Sequence, residues 1–157
     1  MAMPAAAVPR RWTLAEVRAL IDANPAPVPR YELVDSDLLV TPAPNAVHQA
    51  AVLELASALR DYVIRTRVGE AFVSPFDVEL EPRTLVQPDV FVVPPDEARR
   101  VRTAPPARVL LLAAEIISPG SARGDRGPKR ELYQRHVAEY WIVDLDAALI
   151  RAVASGR

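Results

Sequence analysis

The chain has 157 residues, half of them hydrophobic and a quarter charged, with a formal net charge of −1. That composition suits one globular domain with a real core, and it excludes both a disordered chain and a protein drawn to polyanions by overall charge. There is no cysteine, so disulfides and thiolate metal centres are excluded, and any metal must be held by carboxylate, imidazole or carbonyl groups, which suit Mg²⁺, Mn²⁺ or Ca²⁺.

Residues 1–11 are Ala/Pro-rich and lack the basic-then-apolar order of a signal peptide. They are expected to form a flexible terminus ahead of a single domain over 12–157. No apolar run is long enough to cross a bilayer, and a cytoplasmic protein is expected. Residues 13–21 read as a short helix, with Thr13 and Glu16 in capping-box spacing. Two strand-like runs, 31–34 and 37–40, flank Asp35-Ser36 and suggest a tight hairpin. Asn45 caps a long helix over 46–66, in which Val52, Leu55, Leu59, Tyr62 and Val63 recur at helical spacing, so one face is expected to be core. Residues 71–81 alternate like a strand, with Phe72, Phe76, Val78 and Leu80 on one parity and Asp77 and Glu79 on the other. A further strand is expected over 85–93, then an Arg/Pro-rich loop over 94–106 with room for one helical turn. The run 109–117 is apolar except for Glu115, the pattern of a strand buried on both faces. A Gly/Ser-rich turn over 118–127 leads to Pro128, well placed in the first turn of a helix ending near His136. A strand over 139–145 and an edge strand over 147–153 complete a mixed sheet flanked by helices.

Three residues stand out. Glu115 is a carboxylate inside an apolar run, costly unless it is paired or bound to metal; the alternative places it at the strand end beside an arginine. Asp89 follows a proline inside a strand-like run, where taken alone it reads as a strand-entry turn, but two carboxylates on adjacent strands can share a hard cation. Lys129 is the only lysine among 19 basic residues. Leu132 and Tyr133 follow it at three and four residues, so it lies on the apolar side of its helix, pointing at the sheet or snorkelling to solvent. Glu32, Asp77 and His48 are weaker candidates, and an isolated histidine such as His48 is more often a cap or a solvated side chain than a catalyst. No nucleophile elbow, phosphate-binding Gly-rich loop or zinc-spaced histidine pair is present.

The segments YELVDSDLLVTPAPNAVHQ, SPFDVEL, VQPDVFVV, AEIISPGSARGDRGPKRELYQR and EYWIVDL together resemble the Uma2 family (DUF820), restriction-endonuclease-like proteins of the PD-(D/E)XK nuclease superfamily. The resemblance implies an αβββαβ core preceded by a helix and a β-hairpin. It matches Pro88-Asp89 to the family's PD and Glu115 to its acidic residue. The lysine usually found two residues on is absent, since position 117 is Ile, and Lys129 on the following helix takes its place. Glu32, His48 and Asp77 also fall on family positions. Ser36 stands where relatives carry a glycine, and a glycine is missing between His136 and the last core strand.

The implied function is Mg²⁺- or Mn²⁺-dependent hydrolysis of phosphodiester bonds in nucleic acid, with DNA the expected substrate. Asp89 and Glu115 would ligate the metal, and Lys129 would orient water or stabilise charge on phosphorus. Glu32 or Asp77 would serve a second ion or a water, and Arg123, Arg126 and Arg130 would grip phosphates. The rival reading is a non-catalytic module on the same fold that binds a protein or nucleic acid, or pairs as a homodimer.

Overall fold

The computed structural model describes residues 10–117 and 127–154. Their elements, in order, are α1 (Leu14–Ala23), β1 (Arg30–Val34), β2 (Asp37–Thr41), α2 (Ala46–Thr66), β3 (Glu70–Val73), β4 (Val90–Val93), α3 (Pro95–Val101), β5 (Leu112–Ile117), α4 (Pro128–His136), β6 (Glu139–Asp144) and β7 (Leu149–Ala154). Strands β3 to β7 form one mixed sheet in sequential order, in which only β5 and β6 run parallel. The connection between those two is α4, as a parallel crossover requires. Strands β1 and β2 form a separate antiparallel hairpin. Among the described residues no helix is long and apolar enough to cross a membrane.

The sheet is covered on both faces, and strand parity decides which residue faces which layer. Val90, Val92, Leu112 and Ala114 pack with Leu59 and Val63 of α2. Phe91, Val93, Ala113 and Ile117 point the other way, into a cluster with Ala98 and Val101 of α3 and Leu132 and Tyr133 of α4. Gly69 precedes β3 so closely against β4 that a Cβ there would lie 2.0 Å from the Val93 carbonyl oxygen.

The helix starts follow local chemistry. Thr13 and Glu16 form the expected capping box, and the Asn45 side chain accepts the His48 N–H. The hairpin turn also forms where expected: Asp35 and Ser36 both have positive φ, 51° and 68°, as a two-residue hairpin turn demands. The Trp12 N–H and the Arg11 guanidinium donate to the Ser36 and Asp35 carbonyls, at 2.8 and 3.1 Å. At the end of α4 no left-handed residue intervenes. Val137 is extended and buried, and the chain passes directly into β6.

Four element assignments differ from the sequence reading. The strand expected over 71–81 stops at Val73, because Ser74-Pro75 turns the chain away; Val78 then makes only single bridges to Val86 and Ala107. The strand expected over 85–93 begins at Val90. Pro88 has no N–H for a ladder, and Leu85 and Val86 pair elsewhere, with Leu33 and Val78. Strand β5 begins at Leu112 rather than 109. The loop expected over 94–106 contains helix α3, started by Pro95 in its first turn and anchored by Glu97. The Glu97 carboxylate accepts two bonds from Arg100, at 2.6 and 2.8 Å, and the Arg108 backbone N–H.

Candidate active site

Asp89 and Glu115 are neighbours because of how β4 meets β5. The register pairs Val90 with Ala114, so the residue before β4 lies opposite the end of β5. The Asp89 carboxylate accepts the Ile116 N–H there, at 2.8 Å, one residue beyond Glu115. Glu115 shares parity with Ala113 and Ile117, so it belongs to the sheet face that α4 covers. Lys129 and Tyr133, one helical turn apart on α4, come down on it. The Lys129 Nζ lies 2.9 Å from Glu115 Oε1 and 2.9 Å from Glu32 Oε1, and the Tyr133 hydroxyl donates to Glu115 Oε1 at 2.8 Å.

The hairpin supplies the other side. In β1 the alternating residues Arg30 and Glu32 point the same way. Arg30 donates to Asp89 Oδ1 at 2.9 Å and to the Gln87 carbonyl at 3.1 Å, while Glu32 accepts the Gln87 N–H at 2.7 Å. The first turn of α2 adds His48, with Nε2 3.2 Å from Asp89 Oδ2. Asp89, Glu115, Lys129 and Glu32 are each 1% exposed. Among the described residues, three buried carboxylates therefore face two cations, Lys129 and Arg30, and a histidine.

Burial alone would raise the Asp89 pKa, but His48, Arg30 and the Ile116 N–H outweigh it and hold the carboxyl below its ordinary value. Arg30 is held above its ordinary value by Asp89, Glu115 and Glu32, against the opposing effect of its own burial. The Tyr133 hydroxyl is raised well above its ordinary value, first by burial and then by the charges of Glu115 and Glu32. It is therefore a fixed donor rather than an acid.

The structure brings Asp89, Glu115, Lys129, Glu32 and His48 together. Lys129 does not snorkel, Glu115 is paired with Lys129, and His48 is neither merely a cap nor solvated. Asp77 stands one step away, accepting a bond from Gln87 Nε2 at 2.8 Å and facing Arg18. Arg130 is exposed on α4. Arg123 and Arg126 lie outside the described residues. Three contributors were missed in the sequence: Arg30, Gln87 and Tyr133. Arg30 was signalled by its parity with Glu32, and Tyr133 by its i+4 relation to Lys129. Gln87 carried no signal, because its role depends on a break in a strand.

Whether this constellation suits a metal is a question of donor chemistry. Among the described residues no three His, Asp or Glu side chains converge as a preformed cage. Mg²⁺ seldom needs one, since it is commonly bound by one or two carboxylates, with water and substrate phosphate completing the shell. Asp89 and Glu115 supply such a pair. The buried Gln87 Oε1 and His48 Nδ1, which have no hydrogen-bond partner among the described residues, show that polar capacity beside Asp89 is left unused. A cleft of about 480 Å³ runs between the hairpin and the start of α2, with Arg30 and His48 in its wall, and gives an approach to the Asp89 side.

A mixed five-stranded sheet between helices, with carboxylates where β4 and β5 meet, defines the fold class. It is similar to the crystal structure of a "putative nuclease belonging to DUF820" from Anabaena variabilis, with a TM-score of 0.67 and 17% sequence identity over 82% of this chain and 74% of that one. The model of the Uma2 family, described as "putative restriction endonuclease", matches residues 15–155. The chain belongs to the Uma2 family. No curated protein matches it.

Proposed function

We propose that this chain is a metal-dependent nuclease that hydrolyses phosphodiester bonds of nucleic acid, with DNA as substrate and Mg²⁺ or Mn²⁺ as cofactor. The observation that carries the proposal is the convergence of Asp89, Glu115 and Lys129 on one end of the sheet, with the lysine ammonium 2.9 Å from Glu115. Asp89 and Glu115 would hold the ion. When bound, such an ion polarises the scissile phosphate and acidifies a water. Lys129 would hold the attacking water or offset charge on the phosphorus. Arg30 and His48 orient the Asp89 carboxylate, and Tyr133 orients that of Glu115, so both acceptors are aimed before substrate arrives. Glu32 holds Lys129 together with Glu115, each at 2.9 Å.

The test incubates the protein with single-stranded and duplex DNA and Mn²⁺ or Mg²⁺. Cleavage is expected for the native chain, with losses of roughly a hundredfold or more in Asp89→Asn and Glu115→Gln. Cleavage that survives unchanged in both, with folding verified by circular dichroism, would refute the assignment.

One observation favours a second reading. The charged groups are deeply buried and already satisfy one another, as the polar core of a non-catalytic module would. Calorimetry with Mn²⁺ separates the two. Heat of binding that disappears in Asp89→Asn supports the nuclease, and a folded protein that binds no Mn²⁺ supports the module.

A further inference from the structure

The groove between α4 and the outer strands β6 and β7, about 540 Å³ in volume, lies outside the site described above. We propose that it carries the sugar–phosphate backbone flanking the scissile bond, with Arg130 and Arg151 as phosphate contacts. This proposal rests on the nuclease reading and adds to it a path across the protein surface.

The argument begins with strand register. Glu115 pairs with Ile142, and Ile142 pairs with Arg151. Residues paired directly across strands point to the same face of a sheet, and Ile142 packs in the cluster beneath α4. Glu115, Ile142 and Arg151 therefore form one row across three strands. With strands ~4.8 Å apart, the Arg151 backbone lies roughly 10 Å from that of Glu115, at the outer edge of the sheet. The helix makes the same outward step. Arg130 follows Lys129, and Gln134 lies one turn beyond Arg130 on the same side of α4. Arg130, Gln134 and Arg151 all line the groove, so both routes out of the site, along the sheet and along the helix, end in an exposed arginine.

The charges fit a polyanion. Arg18, Arg30, Arg100, Arg102 and Arg135 each pair with an acid. Arg130 and Arg151 have no such partner among the described residues. Asp144 shares the groove and accepts the Ala147 N–H at 3.1 Å; among the described lining residues two arginines stand against this one carboxylate. Guanidinium groups suit phosphate because their planar fork donates two parallel bonds. Among the described residues no aromatic ring lines the groove to stack a base. It therefore grips backbone and reads no sequence. The ~10 Å between the Arg151 and Glu115 backbones corresponds to about three nucleotides at ~3.4 Å of rise each, so Arg151 contacts the flank and not the scissile phosphate, with Arg130 between the two.

Counterion release makes this measurable. Each phosphate neutralised contributes about 0.9 to the slope of log affinity against log salt for duplex DNA, and about 0.7 for a single strand. Binding of a fluorescein-labelled oligonucleotide, duplex and single-stranded, is followed by anisotropy in EDTA at several salt concentrations. Arg130→Gln/Arg151→Gln is expected to lower the duplex slope by about 1.8. Arg60→Gln, an exposed arginine on the opposite layer, should leave it unchanged. With Mn²⁺ present, the double variant should raise KM and leave kcat as it was.

If the native chain binds DNA but the double variant keeps its full slope, or loses no more than Arg60→Gln, the groove proposal is overturned and the nuclease reading stands. If the native chain neither binds nor cuts DNA, the nuclease reading fails and takes the groove proposal with it.

Discussion

Replacing Lys129 by methionine keeps the length and most of the volume of the side chain but removes its charge. The ammonium sits 2.9 Å from both Glu32 and Glu115, all three groups being almost wholly buried. Without it, the Glu32 and Glu115 carboxylates lose the cation they share, and among the described residues Arg30 is a further cation nearby. Removing one partner of a buried ion pair costs about 3–5 kcal/mol. The loss has a natural ceiling, because one carboxyl can take up a proton instead. For a carboxyl of ordinary acidity, near 4.3, neutralisation at pH 7 costs about 2.7 units at 1.36 kcal/mol each, or about 3.7 kcal/mol. At pH 5 the same step costs about 1 kcal/mol.

The folded variant then binds more protons than its unfolded chain, so its stability rises relative to the native protein as pH falls. Urea unfolding of both proteins at pH 7 and pH 5 should show a deficit near 4 kcal/mol shrinking towards 1 kcal/mol. A deficit below about 1 kcal/mol at pH 7, or one of equal size at both pH values, would refute the claim that Lys129 neutralises a buried carboxylate pair.

Two further outcomes follow from the fold. Ser36 occupies a left-handed turn position, so Ser36→Gly should relieve strain and stabilise the protein by about 1 kcal/mol; a thermal melt that moves down or not at all would contradict this. The Glu97 carboxyl is held below its ordinary value, chiefly by hydrogen bonding to Arg100 and despite its partial burial. A depressed carboxyl contributes stability above its unfolded pKa and loses it as pH falls through the folded value. Melting temperatures should therefore fall more steeply below about pH 4.5 in the native chain than in Glu97→Gln, which lacks the titrating group and starts lower. Parallel acid limbs for the two proteins would show that the Glu97 anchor of α3 contributes nothing.

Much of the layout was legible because it depends on local periodicity. Helices α1 and α2 carried caps and spaced apolar residues, the hairpin carried two residues able to adopt positive φ, and the apolar run around Glu115 announced a strand covered on both sides. Strand lengths were not legible in the same way. Residues 71–81 and 85–93 have strand-like patterns throughout, yet each breaks where a proline removes a donor or turns the chain, and the remainder pairs elsewhere. Alternation states which face a residue prefers but not which partner it will find.

The same division runs through the site. Sequence alone singled out Glu115, as a charge in an apolar run, and Lys129, as the sole lysine on the inner side of an amphipathic helix, because burial is a local property of pattern. Nothing local stated that Lys129 would be shared between Glu115 and Glu32, which lies 97 residues earlier in the chain. Nor did anything local place Arg30 and His48 on the two oxygens of Asp89. Those contacts arise because the hairpin docks against segment 85–87 and because β4 starts one residue after Asp89, leaving that carboxylate to take the Ile116 N–H. Charge pairing over such separations is decided by tertiary packing. A buried charge must find a partner somewhere, but its position in the sequence cannot say which one the folded chain will bring within 3 Å.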